Sequence, residues 1–453
     1  MLKNLIYILQ SENYDFKRFL NFAYSHFAWW KLENRQKIVW TAKARAVWIA
    51  SALIFWILIG VSFYFFGAVG LIIFPILIII LPFLVGFSFA LLWPIDTLVK
   101  YGRTNAAKKI ILNSKVCVVG ITGSYGKTST KEILTVMLEN KFKVIKTPEN
   151  VNTDIGIADF VVKNKNNFQE EAIFVAEMGA YRKGEIAKIC RMVEPTYSIL
   201  TGINEAHLER FGSFENIIAG KFELPQNTRI MAFLNFDDTN IKENYSKFSL
   251  ENIKGISQED AQNIKAKENF GGLEFKWKGM AFETNLLAQH NIALILLSGE
   301  IALELGISLE EIREVVRNIE PVAHRLQPIY NASTDIMIID DSYNGNPNGI
   351  ASGLKVLGRA SGRKVVLTPG LVELGVRAKD VHQAIGKLYV ENADLVLLIK
   401  NKMTKYIVEA LKESGFTSYK TYDSTQEAHA DLKNILKRGD TIIFQNDLTD
   451  NYF

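Results

Sequence analysis

The residues with the most evident chemistry lie in "VCVVGITGSYGKTSTKEILTVML", residues 116–138. Gly120, Gly123 and Gly126 recur at every third position, and Lys127, Thr128 and Ser129 follow. Glycines spaced in this way let successive backbone N–H groups turn towards an anion. Val116 to Gly120 is a β-branched run of the kind that forms a strand buried on both faces. Ile133, Leu134, Met137 and Leu138 recur at helical spacing, so a helix follows the glycines. Its first turn adds unpaired N–H groups and the positive end of a dipole at the same place. Lys127 would reach terminal phosphates, and the Thr128 hydroxyl suits Mg²⁺. A glycine-rich turn with a surface lysine would explain part of this pattern. Strand, glycines, Gly-Lys-Thr and helix in that order make a nucleotide site. Its spelling is one residue longer between Gly120 and Gly126 than the common phosphate loop.

Further polar residues stand where strands should end. Glu177 closes "IFVAE", as a magnesium carboxylate should. His207 follows "YSILTGINEAH", and Lys221 comes fourteen residues later in "HLERFGSFENIIAGKFEL". A single His or Lys is most often a surface residue, so these gain meaning only together with the loop.

The elements that must position them read as α/β. "AIFVAEMG" (172–179) and "YSILTGI" (197–203) are strand candidates with polar ends, where α/β sheets bind ligands. "GLEFKWKGMAFETNL" (272–286) alternates, as antiparallel strands do. Helices are expected over 290–306 and 309–319, and Pro321 and Pro328 bracket a domain boundary. Beyond it, "DIMIIDDSYN", "KVVLTPG", "DLVLLIK" and "DTIIFQND" are four strand candidates of a second, smaller α/β domain.

The chain has 453 residues, enough for two or three domains. A net charge of +4 does not point to nucleic acid. Two cysteines, Cys117 and Cys190, make no disulfide framework and fit a reduced, cytosolic body. Residues 46–95 carry no charge at all. A membrane helix takes about 20 residues, so this segment reads as a transmembrane pair near 46–67 and 71–93, broken at Gly67 and Gly70. Lys37, Lys43 and Arg45 precede it, and Lys100, Arg103, Lys108 and Lys109 follow it. Basic flanks on both sides place both ends in the cytoplasm. Trp29, Trp30, Trp40, Trp48 and Trp93 suit the interface. Residues 1–45 read as helices lying on the membrane surface or packing against the soluble body.

Taken together, the loop, Glu177, His207 and Lys221 resemble the Mur ligases, ATP-dependent amide-forming enzymes of cell-wall peptide assembly. The resemblance runs from about residue 105 to 440, and the family loop is spelled G-x-x-G-x-x-G-K-[ST], which accounts for the spacing. It implies an α/β fold with a P-loop central domain and a smaller Rossmann-like C-terminal domain, here behind an α-helical transmembrane hairpin. The expected divisions are 1–45, interfacial helices; 46–95, the membrane pair; 96–322, the ATP-binding domain; and 323–453, the C-terminal domain.

By that resemblance, Gly123, Ser124, Gly126, Lys127, Thr128 and Ser129 hold the phosphates of ATP. Thr128, Glu177, His207 and a carbamylated Lys221 hold two Mg²⁺ ions. Asn291 lies on the adenine side, and Arg325 and Asp341 reach the nucleotide from the C-terminal domain. Lys127, His207, Lys221 and Arg325 form the catalytic set. The implied partners are a UDP- or lipid-linked muramoyl peptide, an amino acid or dipeptide, and the cell membrane, with the catalytic domains in the cytoplasm. "ENVNTDIGIA", "FLNFDDTN", "DDSYNGNP" and "VELG" resemble the branch of the family that adds D-alanyl-D-alanine.

Four departures stand beside these matches. The membrane segment occupies the place of the family's UDP-binding first domain. Leu294 stands where the family has a second asparagine, Pro369-Gly370 replaces "GD", and "QNDL" (445–448) replaces "KGSR". Two alternatives therefore remain. One is a Mur-type ligase with other substrates, as in poly-γ-glutamate or folate synthesis; the other is a membrane-tethered nucleotide-binding partner.

Overall fold

Val118, Val119 and Ile121 put β-branched side chains on both faces of one strand, and all three are buried. That strand, β1 (Cys117–Thr122), is central to the larger domain in a computed structural model describing residues 1–12, 14–25, 38–343, 345–372 and 374–446. Trp29, Trp30, Lys37, Asn344 of "DDSYNGNP", Glu373 of "VELG" and Asp447–Leu448 of "QNDL" lie outside the described residues.

Five further strands join β1: β2 (Lys143–Lys146), β3 (Ala172–Glu177), β4 (Tyr197–Leu200), β5 (Met231–Asn235) and β6 (Ile253–Ile256). They form a parallel sheet of order β2-β3-β1-β4-β5-β6. The order reverses at β1, so the carboxyl ends of β3, β1 and β4 open a crevice. Register sets its floor: Ile121 lies beside Glu177, and Thr122 beside Leu200.

Helices Lys127–Glu139 and His290–Glu304 cover one face of this sheet, burying Ile133, Leu134, Leu294 and Ile295. Helices Asp154–Lys163, Glu185–Val193 and Phe214–Gln226 supply Ile157, Ile189 and Phe222 to the core on the other side. The expected antiparallel strands are a three-stranded sheet, β7 (Ala261–Ala266), β8 (Leu273–Trp277) and β9 (Met280–Thr284). Trp277 lies so close to the core helix that a Cβ on Gly299 would fall 2.6 Å from its ring.

The smaller domain has strands β10 (Gln327–Asn331), β11 (Ile336–Asp341), β12 (Lys364–Thr368), β13 (Leu395–Ile399), β14 (Tyr419–Tyr422) and β15 (Thr441–Gln445). Their order is β10-β11-β15-β12-β13-β14, parallel apart from antiparallel β10. All four expected strands are present, and β10 and β14 add to them.

Residues Met1–Gly102 form a separate compact unit, and Arg103–Leu448 the other. In the first, the Thr41 side chain caps helix Ala42–Phe66, and Gly67, with φ 59°, ends it. A short helix, Ile73–Ile79, precedes Leu81–Ser114, which contains Pro94 and runs on into the second unit. The second apolar stretch is thus two helices where one starting at 71 was expected. The spans Ala42–Gly70 and Leu81–Ser114 are long and apolar enough to cross a membrane. Large side chains along them stay exposed, among them Trp56 at 64% and Phe65 at 70%.

Helices Leu2–Ser11 and Phe16–Ser25 open the first unit. Leu5, Ile6, Ile8 and Leu9 are buried in one cluster with Ala44, Val47, Leu77, Leu81 and Leu84. An apolar helix face gains most where other apolar side chains surround it, and the hairpin supplies them.

Leu134 ties the loop-bearing helix to this core and is fully buried. Leu134→Ala should cost about 2–5 kcal/mol, read as a lower urea midpoint for the full-length protein in detergent.

Candidate nucleotide site

The loop after β1 is laid down by close backbone approach. Gly126 has φ 79°, a conformation that strains other residues, and stands just before helix Lys127–Glu139. A Cβ on Gly123 would sit 2.1 Å from Thr201 Oγ1, and one on Gly202 would enter the Tyr125 ring at 2.2 Å. The Ser124 N–H donates to Gly202 O at 2.7 Å, and Lys127 Nζ donates to Gly123 O at 2.8 Å. The Tyr125 hydroxyl donates to Asp238 Oδ2 at 2.6 Å, and Asp238 also accepts the N–H groups of Ile203 and Ile241, each at 2.9 Å. The loop is therefore strapped to the segments after β4 and β5. Thr128 and Ser129 fall on the helix's first turn, half-buried.

Glu177 ends β3 beside this turn, 5% exposed. Its Oε2 accepts from Thr128 Oγ1 at 3.1 Å and lies 3.3 Å from Lys131 Nζ, and its Oε1 accepts from Asn152 Nδ2 at 3.3 Å. Burial alone would raise the carboxyl's pKa; Lys127 and Lys131 outweigh it and hold the group below the usual value. For Lys127, burial pulls the amine's pKa down and Glu177 opposes that. The hydroxyl of Thr128 and the carboxylate of Glu177 are hard oxygen donors side by side, the set that Mg²⁺ takes. These residues fit one ion.

Lys221, on helix Phe214–Gln226, is 2% exposed. Burial, then nearby Lys127, pushes its amine down to about 7, against the pull of Glu185 and Glu223. His207 adopts φ 64°, and its ring meets Tyr181 edge-on at 4.9 Å. Among the described residues no group of three or more His, Cys, Asp or Glu side chains converges. A second ion at His207 and Lys221 therefore does not fit the lysine as a free amine; that position needs Lys221 turned into an anion.

The smaller domain reaches the same place. Arg325 Nη2 donates to Thr128 Oγ1 at 3.4 Å, and its guanidinium stacks 4.5 Å from the Tyr343 ring centre. Asp341 ends β11, where burial pushes its carboxyl up to about 7 although Arg325 opposes it. Tyr343 donates to Asn150 Oδ1 at 2.7 Å, and Asn204 Nδ2 donates to Asn346 Oδ1 at 3.1 Å and Asn348 Oδ1 at 3.2 Å. Asn291 is buried on helix His290–Glu304. Leu294 lies beneath the loop, with its Cδ2 3.6 Å from where a Gly126 Cβ would be. It acts as packing for the loop.

Sequence reasoning thus found Lys127, Thr128, Glu177 and Arg325, which the fold brings together. It missed Lys131, Asn152, Tyr125 and Asp238. Lys131 had a readable signal, since it follows Lys127 by four positions on one helix face.

Comparison with known proteins places this architecture in a class. Residues 121–301 match the Mur ligase middle domain, and residues 324–445 match the Mur ligase, glutamate ligase domain. The two α/β domains of this chain are Mur ligase domains. The relatives include UDP-N-acetylmuramoyl-tripeptide--D-alanyl-D-alanine ligase of Escherichia coli, 28% identical over 60% of this chain and 61% of its own. The Bacillus subtilis protein of the same name is 25% identical over 72% of each chain. This chain thus matches about six tenths of the length of the Escherichia coli relative. Among solved structures, MurF ligase from Thermotoga maritima in complex with ADP has a TM-score of 0.67 at 26% identity, covering 77% of this chain and 80% of its own. MurF from Acinetobacter baumannii, at 23% identity and a TM-score of 0.66 over 77% of each chain, shares the fold.

The low Lys221 value fixes a sign for stability. The unfolded amine titrates near the ordinary lysine value of 10.5 and the folded one at about 7. Between those values the unfolded state binds more protons, so stability falls as pH drops from 10.5 to 7 and levels off below. Lys221→Met should therefore exceed the wild type in stability at pH 7, with the gap closing towards pH 10.5, in parallel denaturant titrations.

Proposed function

We propose that this chain is a membrane-anchored, ATP-dependent amide ligase. It adds D-alanyl-D-alanine, or a similar amino acid or dipeptide, to a muramoyl-peptide precursor of the cell wall. The observation that carries this reading is the 3.4 Å contact of Arg325 with Thr128, which joins the smaller domain to the phosphate loop. The names of the relatives support the substrate pair, and ADP in the Thermotoga maritima structure supports the nucleotide.

In this reading Gly123, Ser124, Gly126 and Ser129 cradle the phosphates, and Asn291 and Asp341 face the nucleoside. An acceptor carboxylate oxygen attacks the γ-phosphorus, the bond to the β-phosphate oxygen breaks, and ADP leaves. The amine of the incoming dipeptide then attacks the acyl carbon, loses a proton and expels phosphate. Lys127 and Arg325 stabilise the charge of the transferring group by position rather than by covalent chemistry. Thr128 and Glu177 would hold Mg²⁺, which would further neutralise the phosphate oxygens. Lys221, as a carbamate, and His207 would be the residues to hold a second ion. A carbamate forms when a neutral amine attacks CO₂, and an amine at about 7 has that form near neutral pH.

The exposed apolar helices support the anchor. Lys43, Arg45, Lys100, Arg103, Lys108 and Lys109 support placing both of its ends, and the catalytic domains, in the cytoplasm. An anchored enzyme raises its effective concentration towards a lipid-linked acceptor without new contacts.

The test incubates full-length protein in membranes with ATP, Mg²⁺, D-alanyl-D-alanine and either UDP-linked or lipid-linked muramoyl tripeptide, and weighs the products by mass spectrometry. A product heavier by one dipeptide less water, with phosphate released, is expected. ATP hydrolysis indifferent to every acceptor would sink the ligase reading. Lys127→Ala and Glu177→Ala should lower kcat/KM by about 100-fold or more with the fold retained. A carbamate signal from ¹³C-bicarbonate is expected in wild type near neutral pH and not in Lys221→Met. Equal signals in the two would place the modification elsewhere.

A further inference from the structure

Lys131 has no part in the mechanism above, yet it is the most deeply buried cation at the site. It is 1% exposed, with Nζ 3.3 Å from Glu177 Oε2 and 3.7 Å from Glu132 Oε1. Glu132 in turn pairs with Lys146 on β2. The Glu177 oxygen that lies 3.1 Å from Thr128 Oγ1 thus already has an ammonium beside it. Its helix is anchored by fully buried Leu134, Met137 and Leu138, and the Lys131 side chain is itself buried.

We propose that Lys131 is a positioning residue that serves as resident counter-ion to Glu177, so that a divalent cation enters only together with a nucleotide. This rests on the reading that Thr128 and Glu177 hold the metal. A free cation approaching Glu177 meets Lys127 and Lys131 beside it, with Glu132 paired to Lys131, and Arg325 with Asp341 and Glu149 acting on it. Lys131, 3.3 Å from the Glu177 oxygen that a metal would use, opposes its entry. The phosphates of a nucleotide bring negative charge that offsets this opposition. Lys131 meanwhile holds the empty carboxylate in place, with Asn152 on its other oxygen.

The experiment uses full-length protein in detergent with Mn²⁺ as probe, free Mn²⁺ being read by electron paramagnetic resonance with and without ADP. Wild type is expected to bind Mn²⁺ at least about tenfold more tightly with ADP than without. Lys131→Gln keeps a hydrogen-bond donor and removes the charge. Without ADP, it should bind Mn²⁺ at least about tenfold more tightly than wild type. Lys131→Arg should behave as wild type. A role in packing alone would shift the thermal midpoints of both variants and leave ADP-free Mn²⁺ affinity unchanged, which overturns the proposal. Should Lys131→Gln fail to fold, Glu132→Gln carries the test. Removing that competitor for Lys131 should weaken ADP-free Mn²⁺ binding further, and an unchanged affinity overturns the proposal. If wild type takes up no Mn²⁺ even with ADP, the metal reading falls and this inference falls with it.

Discussion

A carboxylate buried to 5% exposure would cost several kcal/mol if left unpaired, and Glu177 is that carboxylate. Its position depends on the parallel pairing of β3 with β1, which sets it beside Ile121 and next to the phosphate loop. Its charge depends on Lys127 and Lys131 one helical turn apart, and on Asn152 and Thr128 for the remaining hydrogen bonds. The rest of the site is arranged around it. Lys127, Lys131 and Arg325 gather near it, cations of the kind that a polyphosphate can meet.

The smaller domain meets this centre through polar contacts. Arg325 with Thr128, Tyr343 with Asn150, and Asn204 with Asn346 and Asn348 are hydrogen bonds between side chains. Each is worth about 0.5–1.5 kcal/mol net. Leu287 and Ala288 of the larger domain also lie in the apolar core of the smaller one, and nucleotide charge bridging Lys127 and Arg325 would add to that association. Domain closure of that kind completes a catalytic site only when substrate is present.

The N-terminal unit obeys a different constraint. Its helices bury one apolar set, including Leu5, Ile6, Leu84 and Val85, and leave another facing outward. Lys43 and Lys100 both pair with Asp96, at 2.9 Å and 3.0 Å, which ties the beginning of the hairpin to its end. The pairing of charges at the base, with none along the arms, is consistent with the arms lying in hydrocarbon.

Much of this was legible along the chain because it depends on local spacing. The run Val116–Gly120, the glycines and the helical period after Thr128 specify strand, loop and helix from neighbouring residues alone. The apolar runs in β11, β12, β13 and β15 did the same for the smaller domain. Strand β10 was not legible: it carries Pro328, its last three residues are exposed, and only antiparallel pairing with β11 makes it a strand. The short, half-buried β14 exists likewise by pairing with β13. Lys131 reads in sequence as one more lysine on an amphipathic helix, and Leu294 as a lost polar contact. Only the packing of Glu177 against one, and of the Gly126 turn over the other, gives them their roles. The apolar face of Leu2–Ser11 showed that it must be buried, but not against what. Spacing along the chain determines which face of an element is apolar and where a backbone can turn. Which charge meets which, across tens of residues, is decided by sheet order and helix packing, because those contacts form only when distant segments are brought together.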